Sequence, residues 1–244
     1  MDNPRLRGGA IRRTGPYPLG QFPDTVLFEL GRQIVHRLAI GHSDLTGDDF
    51  GTIFAQAIKG EHRGKPLGIA DVVLNGCAWS IKTVKSPSPF EQQVVRLISG
   101  RNSPDYSLNI PDPHTNPENT GRAVLSIWNE RVNEALGEHD DLRIVVMVRN
   151  LETKEFLLFE EEAQRFTPTD FRWVFNKRSN LEGFNRTDGT HHFTWQPHGA
   201  QFTVLRPVPG SARRFRINRN VPTVMPDTIL ASIRFREDWI TLLG

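Results

Sequence analysis

The chain has 244 residues, 37% of them apolar and 24% charged, enough to bury a real core and read most simply as one domain with elaborations. Thirty Lys and Arg against 28 Asp and Glu make it mildly basic, a balance that permits nucleic-acid binding without demonstrating it. A single cysteine, Cys77, excludes an internal disulfide framework and any multi-cysteine zinc site, and no run approaches the roughly 20 apolar residues of a membrane span. With no apolar signal-peptide core at the N-terminus, a cytoplasmic location away from membranes is the expectation.

Residues 1–21 are rich in Gly, Pro and Arg, and Arg5, Arg7, Arg12 and Arg13 make them a basic arm, suited either to phosphates or to plain solvation. Leu27, Leu30, Ile34 and Leu38 then follow helical spacing and predict a first helix from Asp24 to about Gly41. Thr46 with Asp49 reads as a capping box opening a second helix, which buries Phe50, Ile53, Phe54 and Ile58 and stops at Gly60. Residues 68–85 read as a β-hairpin. Ser88-Pro89-Phe90-Glu91 is a helix start by the same rules, with Phe90, Val94, Leu97 and Ile98 as its stripe.

The prolines of residues 99–119 predict a long loop, followed by a helix from Thr120 to Leu136 with Val124, Ile127, Trp128 and Val132 inward. The unbroken apolar run between Arg143 and Arg149 predicts a strand buried on both faces. Beyond residue 150 the chain alternates, with strands expected at Glu155–Phe159, Phe171–Phe175, His191–Trp195, Gln201–Leu205 and Arg213–Ile217. This β-rich extension, residues 151–244, carries a second basic cluster at Arg206, Arg213, Arg214, Arg216 and Arg219 and is assigned to recognition or dimerisation.

The hairpin carries the chemistry. Asn75-Gly76 between two apolar, β-branched runs is the strongest short-range hairpin signal, because both central residues of a type I′ turn need positive φ. That turn pairs Leu74 with Cys77, Val73 with Ala78, Val72 with Trp79 and Asp71 with Ser80. Side chains alternate, so Asp71, Ser80 and Lys82 share one face, and Ala70, Val72, Leu74, Cys77, Trp79 and Ile81 the other. Opposed Cβ atoms lie about 5 Å apart and diagonal ones about 7 to 8 Å, so the Asp71 carboxylate and the Lys82 ammonium can converge on one small ligand.

An acid ending one strand, followed across a short hairpin by acid-x-Lys, is the signature of the PD-(D/E)xK nuclease superfamily. Asp71 with Ser80-Ile81-Lys82 resembles it. The resemblance departs at Ala70, where the nominal proline stands, and at Ser80, where a second acid is expected; some type II restriction endonucleases are similar in showing Ser-x-Lys and drawing the carboxylate from a helix. The order helix, hairpin, helix, strand matches the αβββαβ core of that superfamily. The resemblance implies an α/β fold with a mixed central sheet flanked by helices over residues 22–150. It further implies Mg²⁺ as the only cofactor, double-stranded DNA as substrate and a homodimer matched to a palindromic site.

On that resemblance Asp71 anchors the metal and Lys82 positions or activates the attacking water, chemistry that polarises the phosphoryl oxygen and aligns the nucleophile. The second carboxylate has candidates in Asp48 and Asp49 at the start of the second helix, with Asp48 the second metal-ligand candidate, and in Glu91. Capping alone explains all three. Lys85, Gln92, the segment Arg101-Asn102-Ser103, and Lys177, Arg178 and Asn180 are candidate DNA contacts, each equally at home on an ordinary polar surface. Two alternatives remain open: a nuclease-like protein that binds DNA without cutting it, and an RNA or repair nuclease on the same core.

Overall fold

The computed structural model describes residues 15–64 and 68–243; Arg5, Arg7, Arg12 and Arg13 of the basic arm lie outside the described residues. In chain order the elements are α1 (Asp24–Ala39), α2 (Gly47–Ile58), β1 (Glu61–His62), β2 (Val72–Leu74), β3 (Cys77–Lys85), β4 (Val94–Arg101), α3 (Pro104–Leu108), α4 (Pro117–Glu138), β5 (Asp141–Asn150) and β6 (Glu155–Glu162). There follow β7 (Phe171–Phe175), β8 (Leu181–Asn185), β9 (His191–Gln196), β10 (Gln201–Pro207), β11 (Arg213–Arg216) and α5 (Pro226–Ser232). The chain is therefore mixed α and β, with five helices and two sheets among the described residues.

The first sheet has the order β1-β2-β3-β5-β6-β11, with β3 parallel to β5 and every other pair antiparallel. The second is antiparallel throughout, in the order β4-β10-β9-β8-β7. β5 is buried from Asp141 to Arg149, as its unbroken apolar run requires of a strand covered on both faces. One face of the first sheet, through Trp79, Ile81, Val145 and Leu158, packs on Leu30 and Ile34 of α1 and Phe50 and Phe54 of α2. The other, through Ala78, Ile144, Val146 and Phe159, packs on Val124, Trp128 and Val132 of α4 and on Leu97, Phe193, Trp195 and Phe202 of the second sheet.

α2 opens as its sequence predicts: Thr46 Oγ1 accepts from the Asp49 amide at 3.1 Å, and the Asp49 carboxylate accepts from the Thr46 amide at 2.9 Å. The helix expected from Ser88 is instead a single 3-10 turn, Pro89–Glu91, leading into β4, and Ser88 makes no side-chain cap. The positions Val94, Leu97 and Ile98 fit either period. Pairing with β10 settles the matter, turning Val95, Leu97 and Ser99 inward and Val94, Arg96 and Ile98 outward.

β4 therefore leaves the expected nuclease core for the second sheet, while β6 and β11 of the expected extension join the first, so the two halves interleave across residue 150. The end of the expected arm is also built in, since Tyr17 is buried in the α1–α2 core, its ring tilted against that of Phe22 just beyond the arm. Strand β8 escapes sequence patterning because Gly183 stands mid-strand, where a Cβ would lie 2.8 Å from the Trp173 indole.

Candidate functional site

The β2–β3 reversal is the predicted one. Asn75 and Gly76 have φ of 47° and 77°, and Val72 faces Trp79, Val73 faces Ala78 and Leu74 faces Cys77. The ladder continues past β2 through Asp71: its amide donates to the Trp79 carbonyl at 2.9 Å, and its Oδ2 accepts from the Ile81 amide at 2.7 Å. The carboxylate thus stands in for a backbone acceptor and is fixed in place, while Oδ1 has no partner among the described residues. Ala70 packs against the α4-side core with Ile69 rather than on the Trp79 face, because β2 begins only at Val72 and strict alternation does not reach it.

Ser80 and Lys82 alternate with Trp79 and Ile81 and so face α4 and the second sheet. Ser80 is fully buried and its hydroxyl has no hydrogen-bond partner among the described residues. Burial pushes the Lys82 ammonium below its ordinary range; Asp71 opposes that shift and Arg131 of α4 adds to it. Neither Lys82 nor Arg131 forms an ion pair with a carboxylate of the described residues. Arg131 donates through Nη2 to the Arg101 carbonyl and lines a cavity of about 640 Å³ with Gly68, Gly100, Arg101, Glu134 and His198. A neighbouring cavity of about 200 Å³ runs from Gly68 and Ala70, beside Asp71, to Arg131, Glu134 and Arg63.

The remaining candidates lie elsewhere. α2 sits on the Trp79 face, so the structure does not bring Asp48 or Asp49 to Ser80 and Lys82; Asp49 is held by its cap and lies 3.5 Å from Arg37, and Asp48 lies 3.7 Å from His62 Nε2. Glu91 is exposed at the 3-10 turn that packs against β5 and β6. Lys85 pairs with Asp44 at 2.7 Å, and Gln92 is spent locally, accepting from Ser86 Oγ at 2.8 Å and donating to the Val94 carbonyl at 2.6 Å. Asn102 is a structural residue: fully buried, its side chain donates to the Val124 carbonyl of α4 at 2.8 Å, and its own carbonyl accepts from Trp195 Nε1 at 2.8 Å.

Arg101 reaches the large cavity and Ser103 the adjoining one lined by Pro104 and Trp195. Lys177, Arg178 and Asn180 form the β7–β8 turn, closed by Asn176, whose Oδ1 accepts from the Arg178 and Asn180 amides. Sequence reasoning missed Arg131 and Glu134, which no motif marks. It also missed a buried charge cluster on the opposite face, where Arg143 meets Asp141 at 2.7 Å and Glu160 at 2.8 Å.

No family model matches this chain, and no curated protein or solved structure does. Among the described residues no group of three or more His, Cys, Asp or Glu is placed to hold a metal, and no helix is long and apolar enough to cross a membrane.

Proposed function

We propose that this chain is a Mg²⁺-dependent type II restriction endonuclease that hydrolyses phosphodiester bonds of double-stranded DNA and works as a homodimer in the cytoplasm. The observation that carries the reading is the pair Asp71 and Lys82: a carboxylate locked by the Ile81 amide, and a desolvated amine on the same β-hairpin with no ion pair among the described residues. The order of elements supports it as well: α2, the antiparallel β1, β2 and β3, then α4, then β5 parallel to β3 follow the arrangement the resemblance implies, with β4 and α3 interposed before α4 and β4 given to the second sheet.

Mg²⁺ takes one or two carboxylates and keeps several waters, so Asp71, with Oδ1 unengaged, fits such an ion. When bound, the ion polarises the phosphoryl oxygen and lowers the pKa of a coordinated water. Lys82 would position the attacking water and donate to the phosphate from Nζ, with burial and Arg131 disfavouring its charged form and Asp71 favouring it. Ser80 supplies a hydroxyl where the resemblance expects a carboxylate, and this is the feature that favours the second reading, a DNA-binding protein that does not cut.

The test is to incubate the purified protein with unmethylated phage DNA and MgCl₂, with EDTA, Asp71→Asn and Lys82→Ala as controls. Discrete fragments lost in all three controls are expected. A smear points to a non-specific nuclease, and intact DNA with a mobility shift to the binding reading. Cutting by Lys82→Ala at the parent rate overturns the assignment.

A further inference from the structure

β4 carries an irregularity whose purpose lies across the cleft. Its register against β10 is broken between Phe202 and Thr203: Gly100 pairs with Phe202 and Ile98 with Thr203, which leaves Ser99 as an extra residue. Gly100 takes up the distortion with φ of 122°, a conformation that L side chains rarely adopt. A Cβ at Gly100 would overlap Nη1 of Arg131. The bulge thus opens a slot in β4 that holds one guanidinium, and the carbonyl that fixes it, that of Arg101, is the next residue along.

Held in this slot, Arg131 of α4 is near enough for its charge to act on Lys82 of β3. The charged groups acting on Lys82 are Asp71, leading into β2, and Arg131 of α4; Arg131 itself feels Glu134, one helical turn on. Burial depresses the charged forms of both cations, and among the described residues no carboxylate pairs with either. A guanidinium has five donors in a planar fork; hydrogen bonding to the Arg101 carbonyl uses Nη2, Nη1 lies in the Gly100 slot, and Arg131 lines open cavities of about 640, 410 and 200 Å³, with Glu134 beside it in each. A guanidinium fixed at the wall of an open cleft is a ready donor to an oxyanion that enters it.

We infer that Arg131 is the residue that grips and orients the reacting phosphodiester against Lys82, and that the β4 bulge at Ser99–Gly100 exists to hold it there. This rests on the nuclease reading above. The bond broken is the phosphodiester P–O bond, water supplies the new P–O bond, and Arg131 exchanges no proton; it fixes the oxyanion for in-line attack and stabilises the charge that develops there.

The experiment compares the parent with Arg131→Lys, Arg131→Ala and Gly100→Ala on phage DNA with MgCl₂, following single-turnover cleavage rates from pH 6 to 10 and DNA affinity in EDTA, with thermal melts to confirm folding. Arg131→Ala should cut about 10²-fold more slowly, the cost of removing one preorganised donor from a charge-stabilising site, while affinity falls less than tenfold. Arg131→Lys keeps the charge and loses the fork, so it should recover only part of the rate. Gly100→Ala, which displaces the guanidinium without deleting it, should be slowed as well. A merely structural arginine would lower the melting temperature and the rate together and leave the ratio of rate to affinity in place. Parent-like rates in folded Arg131→Lys and Arg131→Ala overturn the inference. If Lys82→Ala is inactive while the Arg131 variants cut normally, only this inference falls; if Lys82→Ala also cuts, the nuclease reading falls with it.

Discussion

Glu160→Leu is the sharpest probe of how this fold holds itself together, because its cost can be worked out bond by bond. The Glu160 carboxylate is buried and accepts from Arg143 Nη1 at 2.8 Å, the Gly20 amide at 2.9 Å and Trp79 Nε1 at 3.0 Å, with Tyr17 OH at 3.4 Å. Leucine would strand the Gly20 and Trp79 donors and take from Arg143 one of its two carboxylates. Each stranded buried donor costs about 1 to 3 kcal/mol, and breaking a buried ion pair from one side costs about 3 to 5 kcal/mol. These describe overlapping losses, so about 4 kcal/mol in total is expected, a large share of the roughly 5 to 15 kcal/mol that holds a domain folded. At this chain length that corresponds to a fall in Tm of about 8 to 16 °C. Glu160→Gln keeps one acceptor and should cost about half as much. Arg143→Met with Glu160→Leu removes both charges, so the double variant should lose at least about 1 kcal/mol less than the sum of the singles. Urea unfolding at pH 7, with m held constant, measures all three. A cost below about 1 kcal/mol for Glu160→Leu, or strict additivity in the cycle, would refute the claim that this cluster works as one unit.

Three further outcomes follow from single residues. Asp44 is held down to about 2 from its ordinary 3.8, first by Lys85 and then by the Leu45 amide and Arg149. Its contribution is therefore complete above pH 4 and is lost as pH falls toward 2; with the carboxylate partly exposed, Asp44→Asn should flatten acid unfolding in that window by about 1 kcal/mol or less. For Lys82, whose folded pKa lies below 10.5, the unfolded chain binds the proton more tightly, so the parent should gain stability as pH rises toward 10.5. Lys82→Met should be inactive, more stable at pH 7 and without that slope; a variant less stable than the parent in melts from pH 7 to 10 would contradict the desolvation argument. Gly121→Ala gains about 1 kcal/mol of helix propensity, but its Cβ would overlap the Trp173 indole. A net loss of about 2 kcal/mol is expected by urea unfolding, and a stabilised variant would mean that α4 and β7 are less tightly apposed than the structure shows.

How much could be read in advance depended on whether local chemistry left one solution. Asn75-Gly76 did, since a two-residue reversal with both φ positive admits one register, and Val72 opposite Trp79 follows from it. β5 did too, because a run of apolar residues too short for a helix has to be covered on both faces. β4 did not: Val94, Leu97 and Ile98 satisfy a helical stripe, and what makes them a strand is β10, about a hundred residues later. Asp48 and Asp49 were legible as a helix start, yet which face of the sheet α2 would cover was not, and that face decides whether they meet Asp71. Arg131 was invisible for a similar reason. Its position is made by a bulge in a strand that the pattern hides and by a helix thirty residues away, so no spacing along the chain could have marked it.

The two faces of the first sheet treat buried charge in opposite ways, and the contrast bears directly on function. On the helix-pair face the Arg143 guanidinium meets Asp141 and Glu160, donates to the Tyr17 carbonyl at 3.1 Å and lies 5.7 and 5.8 Å from the Tyr17 and Trp79 rings. Every cost of burying that cation is met from within the chain. On the other face Lys82, three residues along β3 from Trp79, and Arg131 of α4 are both desolvated, the buried Ser80 hydroxyl has no partner among the described residues, and Asp71, the acid that acts on Lys82, has already given one oxygen to the backbone. A leucine or methionine at position 82 would pack there without that cost. A fold able to neutralise Arg143 so completely leaves Lys82 and Arg131 without a paired carboxylate among the described residues. On the nuclease reading proposed above, the phosphodiester oxyanion would be the group that pairs with them, and the cost of the empty site would be recovered when substrate binds.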